Sequence, residues 1–299
     1  MKYLVTGYKG QLGYDVVREL KKRGIIDSNI YPVDIEQMDI TDKESVMKLV
    51  TQIEPDVIFH NAAWTNVDGA EDMKEACEKV NFLGTKNLVE AAARVGAKIV
   101  YISTDYVFDG TKDGMYEIDD QANPLSVYGK TKYMGEEVVR SYPKHYIVRI
   151  SWVFGINGRN FIRTMLKLSK TKQELSVVSD QIGSPTYTVD LARLLVDMVG
   201  TDKYGTYHAN NEGFCSWAEF ARYIFDSSNI DMIVHDIKTC EYPQKATRPL
   251  NSKLSKKSLD DNGFKRLPQW MDAVDRYKEE LILEDGEEAK ILIKSGGRK

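Results

Sequence analysis

Cysteine and histidine are scarce in this chain. Cys77, Cys215 and Cys240, with His60, His145, His208 and His235, are all that 299 residues contain. The cysteines are too few and too scattered for a disulfide framework, and neither residue type shows metal-ligand spacing. No structural metal is expected. An excess of one charge is also missing: 41 Lys and Arg stand against 45 Asp and Glu, a net charge of −4. Nothing there favours nucleic acid or an anionic membrane as a partner. No apolar run nears the roughly 20 residues of a membrane span. The opening MKYLVTGYKG lacks the apolar stretch and small-residue cleavage site of a secretory leader. There are no internal repeats. These absences leave a cytoplasmic globular protein, and its 42% hydrophobic residues suffice for a substantial core.

What the chain does have is a rhythm. KYLVTG, NIYPVD, DVIFHNAA, KIVYISTD and HYIVRISWVF read as strands, each short and apolar. Between them QLGYDVVRELKKRG, DKESVMKLVTQIEP, MKEACEKVNFLGTKNLVEAAARVG and SVYGKTKYMGEEVVRSYP read as helical. Such alternation predicts an α/β fold, a doubly wound parallel sheet, over residues 1–150. Beyond about residue 155 the rhythm changes to helices at NFIRTMLKLSKT, VDLARLLVDMVG and SWAEFARYIFDSSN, the last with a Ser N-cap. A smaller domain is expected over 151–285, interleaved with the first so that some later segments return to it. A charged peripheral tail covers 286–299.

TGYKGQLG places Gly7, Gly10 and Gly13 directly after the first strand and at the start of a helix. Glycines there allow a tight turn, let the backbone approach a pyrophosphate and let the helix pack on the sheet. The pyrophosphate rests on free N–H groups of the helix start, around Gln11 and Leu12. Asp34 ends the second strand, where a carboxylate accepts from the adenosine ribose and repels a 2′-phosphate. That favours NADH mildly over NADPH, although Lys9 in the turn could attract the phosphate, and Asp34 could be a solvated strand-end acid. Asp39 and Ile40 are candidates to flank the adenine; alternatively Asp39 or Thr41 caps the next helix.

Tyr128 and Lys132 stand four apart, so a helix puts them on one face. A free tyrosine titrates near pH 10 and is a poor proton donor at neutrality. A neighbouring ammonium favours the phenolate and is expected to lower that value. Thr104 ends the fourth strand, where open α/β sheets bind ligands, and its hydroxyl could hold a carbonyl oxygen towards Tyr128.

With these residues in place the chain resembles the extended short-chain dehydrogenase/reductases, which carry TGxxGxxG and a Ser/Thr–Tyr–Lys set on a Rossmann sheet. It is similar in more detail to one branch of that family, the dTDP-4-dehydrorhamnose reductases, through NAAWTNVDGAE, STDYVFDG, YGKTKYMGE, RISWVFG, DQIGSPTYTVDLA and RPLNSKLS. The resemblance implies reduction of a dTDP-sugar 4-ketone by NADH or NADPH, with 151–285 mainly binding substrate. It makes Tyr128 the proton donor, Lys132 its modulator and a nicotinamide-ribose ligand, Thr104 the carbonyl holder and Asn81 a brace of the proton relay. It sets Ala62, Ala63 and Trp64 along the cofactor. Thr65, Val67, Asp105, Tyr106 and Trp152 would face the sugar nucleotide, and Arg248 its diphosphate. Trp152 could instead be a core aromatic and Arg248 a surface cation. Some members hold Mg²⁺ between subunits; the candidates here are Asp15 and Asp190, but Asp15 stands where that pattern has the longer Glu. No metal is expected, and a homodimer is left open.

Two other readings compete. One is an NDP-sugar epimerase or a different NDP-sugar 4-ketoreductase, against which RISWVFG and RPLNSKLS argue. The other is a non-catalytic dinucleotide-binding subunit like the regulatory subunit of methionine adenosyltransferase, against which the joint presence of Thr104, Tyr128 and Lys132 argues.

Overall fold

The computed structural model describes residues 1–294. Its first half winds through β1 (Tyr3–Thr6), α1 (Gln11–Lys22), β2 (Ile30–Val33), α2 (Lys43–Ile53), β3 (Val57–His60), α3 (Val67–Asp72), α4 (Lys74–Glu78), α5 (Thr85–Val95), β4 (Lys98–Thr104), α6 (Val127–Arg140) and β5 (His145–Ile150). The strands pair in parallel in the order β2-β1-β3-β4-β5, and β10 (Gly205–His208) adds a sixth beside β5. The doubly wound parallel sheet expected from the alternation is therefore present. Strand side chains alternate between two buried faces. Val5, Phe59, Val100 and Val148 pack with Leu12, Val16 and Leu20 of α1 and Leu191 and Leu195 of α8 (Thr188–Val199). Leu4, Ile58, Ile99 and Ile147 pack on the other side with Val46, Val50, Leu88 and Val139. Pro32, which has no N–H to give, lies in β2 at the sheet edge.

A smaller unit covers the carboxyl ends of the strands. It comprises β6 (Val153–Phe154), α7 (Phe161–Leu168), β7 (Glu174–Val178), β8 (Ile182–Gly183), β9 (Thr186–Tyr187), β11 (Asn211–Glu212), β12 (Cys215–Ser216), α9 (Trp217–Ser227), β13 (Ile233–Ile237), β14 (Leu267–Gln269) and α11 (Trp270–Lys294), while α10 (Lys257–Asp261) packs on the sheet through Leu259. Its core gathers Phe154, Ile162, Leu166, Phe220, Ile224, Trp270 and Tyr277. Within 151–285, α8 and β10 belong to the sheet's own layers.

Three local departures from the sequence expectation matter. The fifth strand does not run through to Phe154: it stops at Ile150, and Trp152 turns the chain with φ 51. The long helical stretch after Met73 is not uniform, because residues 79–84 form a π-helical turn between α4 and α5. The tail is helical as far as Lys294, with a non-helical Gly286 inside it, and its last residues, 295–299, lie outside the described residues.

Candidate active site

A cleft of about 710 Å³ opens at the carboxyl ends of the parallel strands, lined by residues that follow β1, β2, β3, β4 and β5. It spans the gap between β1 and β3, where the strand order reverses and open sheets accept ligands. Gly7 has φ 62, and a Cβ there would lie 2.8 Å from the Ala62 nitrogen. The turn can approach the loop after β3 only as glycine. A Cβ on Gly13 would strike the Gly7 carbonyl. Gly10 precedes α1 with no side-chain cap, so the first N–H groups of that helix, at Gln11, Leu12 and Gly13, lack intrahelical acceptors beside the cleft. Asn61 Oδ1 and Ser103 Oγ are buried without hydrogen-bond partners, and both residues line the same cleft. A glycine cradle, free helix N–H groups and unpartnered polar atoms fit a dinucleotide.

Gln11 plays a different part from its neighbours. Its Oε1 accepts from the Gly155 N–H (2.9 Å) and from Asn160 Nδ2 (3.2 Å), which pins the glycine turn to the smaller unit. At the far end of the cleft, Asp34 accepts from the backbone N–H groups of Lys9 (3.2 Å) and Ile35 (2.9 Å). Lys9 Nζ donates to Glu36 (2.6 Å). Asp39 and Ile40 line the cleft, with Asp39 accepting from the Thr41 N–H (2.8 Å). The helix-cap alternative for Asp39 or Thr41 fails, because Asp42 caps α2 by accepting from Glu44 and Ser45. Ala62 and Ala63 line the cleft, whereas Trp64 does not. The Trp64 indole N–H goes to the Asn66 carbonyl at 2.9 Å.

Tyr128, Lys132 and Thr104 all line the cleft. Ser126 caps α6 by accepting from the Gly129 N–H, and the helix then sets Tyr128 and Lys132 on one face. The Thr104 hydroxyl hydrogen-bonds with the Tyr128 phenol. It also donates to Asp105 Oδ1 at 2.8 Å. The other Asp105 oxygen accepts from Ser252 at 2.5 Å. Asp105 thus stands behind Thr104, with both carboxylate oxygens engaged by hydroxyls, rather than simply facing a ligand. Burial pushes its carboxyl up to about 6.

The expected effect of Lys132 on Tyr128 is not what this geometry gives. Burial raises the Tyr128 phenol above its ordinary value, the Asp105 carboxylate adds to the rise, and only the Thr104 hydrogen bond opposes it. Burial also lowers the Lys132 ammonium to about 7, against the opposing pull of Glu136 and Cys77. Desolvation outweighs charge pairing at Lys132, and at Tyr128 it outweighs the Thr104 hydrogen bond. Lys132 Nζ lies 4.0 Å from the centre of the Tyr101 ring.

Asn81 does not line the cleft. Its Oδ1 accepts from the Trp64 N–H (2.8 Å), while Nδ2 donates to the Trp64 carbonyl (3.2 Å) and the Thr131 hydroxyl (3.1 Å). It ties the loop after β3 to the helix that carries Tyr128. The Asn81 carbonyl takes the Thr85 hydroxyl (2.7 Å), and Thr85 reaches on to His60 at 3.0 Å.

A second cavity of about 930 Å³ lies in the smaller unit. Val67, Tyr106 and Trp217 line both spaces and form the neck between them. Thr65 and Trp152 are on the first side, Arg248 and Gln244 on the second. Arg248 is tethered to Asp68 (2.6 Å), yet its NH1 is buried without a partner, as is Gln244 Oε1. Arg248 is therefore not a plain surface cation. Ser252, Trp217 and Gln244 were not expected from sequence. Ser252 stands in RPLNSKLS, but its partner lies 147 residues away in the chain. Among the described residues, no group of three or more His, Cys, Asp or Glu could hold a metal ion, and no helix is long and apolar enough to cross a membrane. Asp15 accepts from Thr188 and Arg18, and Asp190 from Arg276 and Asn211.

Comparison with known proteins adds a family and a set of relatives. The RmlD substrate binding domain family matches residues 1–282. A dTDP-4-dehydrorhamnose reductase from Aggregatibacter actinomycetemcomitans is 42% identical over 264 residues, covering 84% of this chain and 89% of that protein. The crystal structure of a dTDP-4-dehydrorhamnose reductase from Clostridium acetobutylicum superimposes with a TM-score of 0.91 at 42% identity, covering 94% of this chain and 99% of that one. One from Bacillus anthracis, in complex with NADP, gives a TM-score of 0.90 at 42% identity, covering 94% of this chain and 100% of that one.

Proposed function

The chain belongs to the RmlD substrate-binding-domain family, and from that premise we propose that it reduces the 4-keto group of dTDP-4-dehydro-L-rhamnose to give dTDP-L-rhamnose, with NADH or NADPH as reductant. The observation that carries the reading is the presence of the hydrogen-bonded Thr104–Tyr128 pair and Lys132 in one cleft, which joins a glycine-turn dinucleotide cradle to a second cavity.

Each residue's part follows from its surroundings. The sugar carbonyl oxygen enters in place of the Thr104–Tyr128 hydrogen bond, accepting from the Tyr128 phenol and from a Thr104 hydroxyl turned away from Asp105. The bound dinucleotide supplies the hydride to C4. Tyr128 gives its proton to the oxygen as negative charge develops there. Its raised pKa keeps that proton in place at neutral pH, as reduction requires. Lys132 holds the nicotinamide ribose, and Asn81 acts at one remove by fixing the Trp64 loop against α6. Gly7, Gly10 and Gly13, with the N–H groups at Gln11 and Leu12, hold the pyrophosphate. Asp34 takes the adenosine ribose, Asp39 and Ile40 the adenine, and Ala62 and Ala63 the nicotinamide side. Thr65, Val67, Tyr106 and Trp152 surround the sugar, with Asp105 setting Thr104. Arg248 NH1 meets the diphosphate, and the second cavity takes the nucleotide.

Asp34 and the Lys9–Glu36 pair support a mild preference for NADH. Three free cysteines suit a reducing cytoplasm. A homodimer is compatible with this reading.

The test follows NADH and NADPH oxidation at about 340 nm with enzymatically generated dTDP-4-dehydro-L-rhamnose. Wild type should turn over and yield dTDP-L-rhamnose, and Tyr128→Phe should lose roughly 10²–10⁴-fold in kcat while still binding dinucleotide. Dinucleotide binding without turnover by wild type would overturn the reading.

A further inference from the structure

Trp152 holds an unusual backbone position. Among the described residues only Glu54, Trp152 and Asn229 combine a side chain with positive φ. Glu54 terminates α2, and Asn229 follows the end of α9. Trp152 ends no helix; it interrupts the path from β5 to β6 in mid-cleft. Left-handed backbone at a bulky residue persists only where its surroundings hold it.

Those surroundings are two residues brought together by one short pairing. β12 runs antiparallel to β8, with Cys215 opposite Gly183 and Ser216 opposite Ile182. Ser216 and Glu219 then form a reciprocal cap that starts α9 at Trp217. The Trp152 indole lies against both sides of this construction. Its ring stacks on Trp217 with centroids 3.8 Å apart and planes 17° from parallel. A Cβ added to Gly183 would sit 2.8 Å from Trp152 Cε2. Trp217 is in turn backed by Phe161 at 4.7 Å and Phe220 at 6.1 Å. The space at position 183 and the ring at 217 together leave Trp152 one place to lie.

We propose that Trp217 is a positioning residue for the sugar: with Gly183 it clamps Trp152 in its left-handed state, so that the stacked indoles form a fixed apolar wall at the neck between the two cavities. The inference rests on the reductase reading above. A deoxyhexose presents one face of C–H bonds and another of hydroxyls, and an indole wall accepts the first. Thr104 and Tyr128 supply the polar groups in the same cleft, so the wall decides which face of C4 the sugar offers to hydride. A sugar free to roll against a loose wall offers both faces and gives both C4 epimers.

The test compares Trp217→Ala, Trp217→Phe and Gly183→Ala in the full-length enzyme with dTDP-4-dehydro-L-rhamnose, reading kcat, the C4 epimer ratio of the product and NADH affinity. W217A should lose about tenfold or more in kcat and release a detectable share of the other epimer, with NADH affinity within about twofold of wild type. W217F keeps a ring to stack and should restore most of the epimer purity. G183A crowds Trp152 from the opposite side, leaves Trp217 intact and should reproduce the mixed product. If W217A fails to fold, G183A decides. Wild-type epimer purity in W217A, or in G183A where W217A is insoluble, overturns the clamp, whatever their thermal stability. Wild type without turnover overturns the reductase reading and the clamp with it, whereas wild-type turnover beside insensitive variants overturns the clamp alone.

Discussion

At Lys132 burial and charge pull in opposite directions, and burial prevails: the ammonium is lowered to about 7 while Glu136 and Cys77 act to raise it. Its charge is thus lost as pH rises through neutrality. If the ammonium holds the nicotinamide ribose, kcat/KM for the dinucleotide, which reports the free enzyme, should fall as pH rises through about 7. Lys132→Arg keeps its charge and should show no such fall, at a lower level of activity. A wild-type profile level from about pH 6 to 9 would show that the charge is not needed. At the other end of the cleft, the exposed Lys9–Glu36 pair offers a cation that a 2′-phosphate could recruit only by displacing a carboxylate. Glu36→Gln frees Lys9 and should raise kcat/KM for NADPH severalfold while leaving NADH nearly unchanged; equal effects on both cofactors would exclude this role. The spacing of Tyr128 and Lys132 was legible in the sequence because a helix fixes it. Their pKa values were not, because burial depends on what the rest of the chain brings over them.

Helix, strand and turn elements repeat that division. The alternating apolar runs made the parallel sheet legible, since strands covered on both faces leave that mark in any sequence. The breaks inside elements did not show. ISWVF has the composition of a strand, yet Trp152 stops it for reasons that lie at Gly183 and Trp217. VNFLGT continues a helical pattern, yet residues 79–84 carry a π turn. That turn has a consequence for Asn81, which sits inside it and reaches Trp64 and Thr131. A π turn amounts to one residue more than the α-helix needs. Deleting the exposed Leu83 should convert it to regular helix while the buried face of α5 holds its place. Asn81 would then swing by about 100° around the helix axis and lose the Trp64 loop. The variant should keep its far-UV circular dichroism and lose most of its kcat. A variant with wild-type kcat would show that the π turn does not set Asn81.

For the whole molecule, the question is what keeps the smaller unit seated on the sheet. Much of the seam is polar. Gln11 Oε1 takes the Gly155 N–H and Asn160, Asn157 donates to the Lys9 carbonyl at 2.7 Å, and Arg18 bridges Asp15 and Glu280. Most of these contacts cross from the glycine turn or α1 to segments more than 140 residues later, so no local pattern announces them. They give the dinucleotide turn a second duty: the loop that would hold the pyrophosphate is also a fastening point for the unit that would hold the sugar. Gln11→Ala removes the acceptor and leaves the Gly155 N–H without its partner, a loss of about 1–3 kcal/mol. Urea unfolding should show a lower midpoint with an unchanged slope, since the surface exposed is the same. Because the turn loses its fastening, NADH should also bind more weakly, and dTDP, added alone, should bind about as before. Weaker dTDP binding with unaltered NADH affinity would place the Gln11 contact in the sugar cavity instead of the seam.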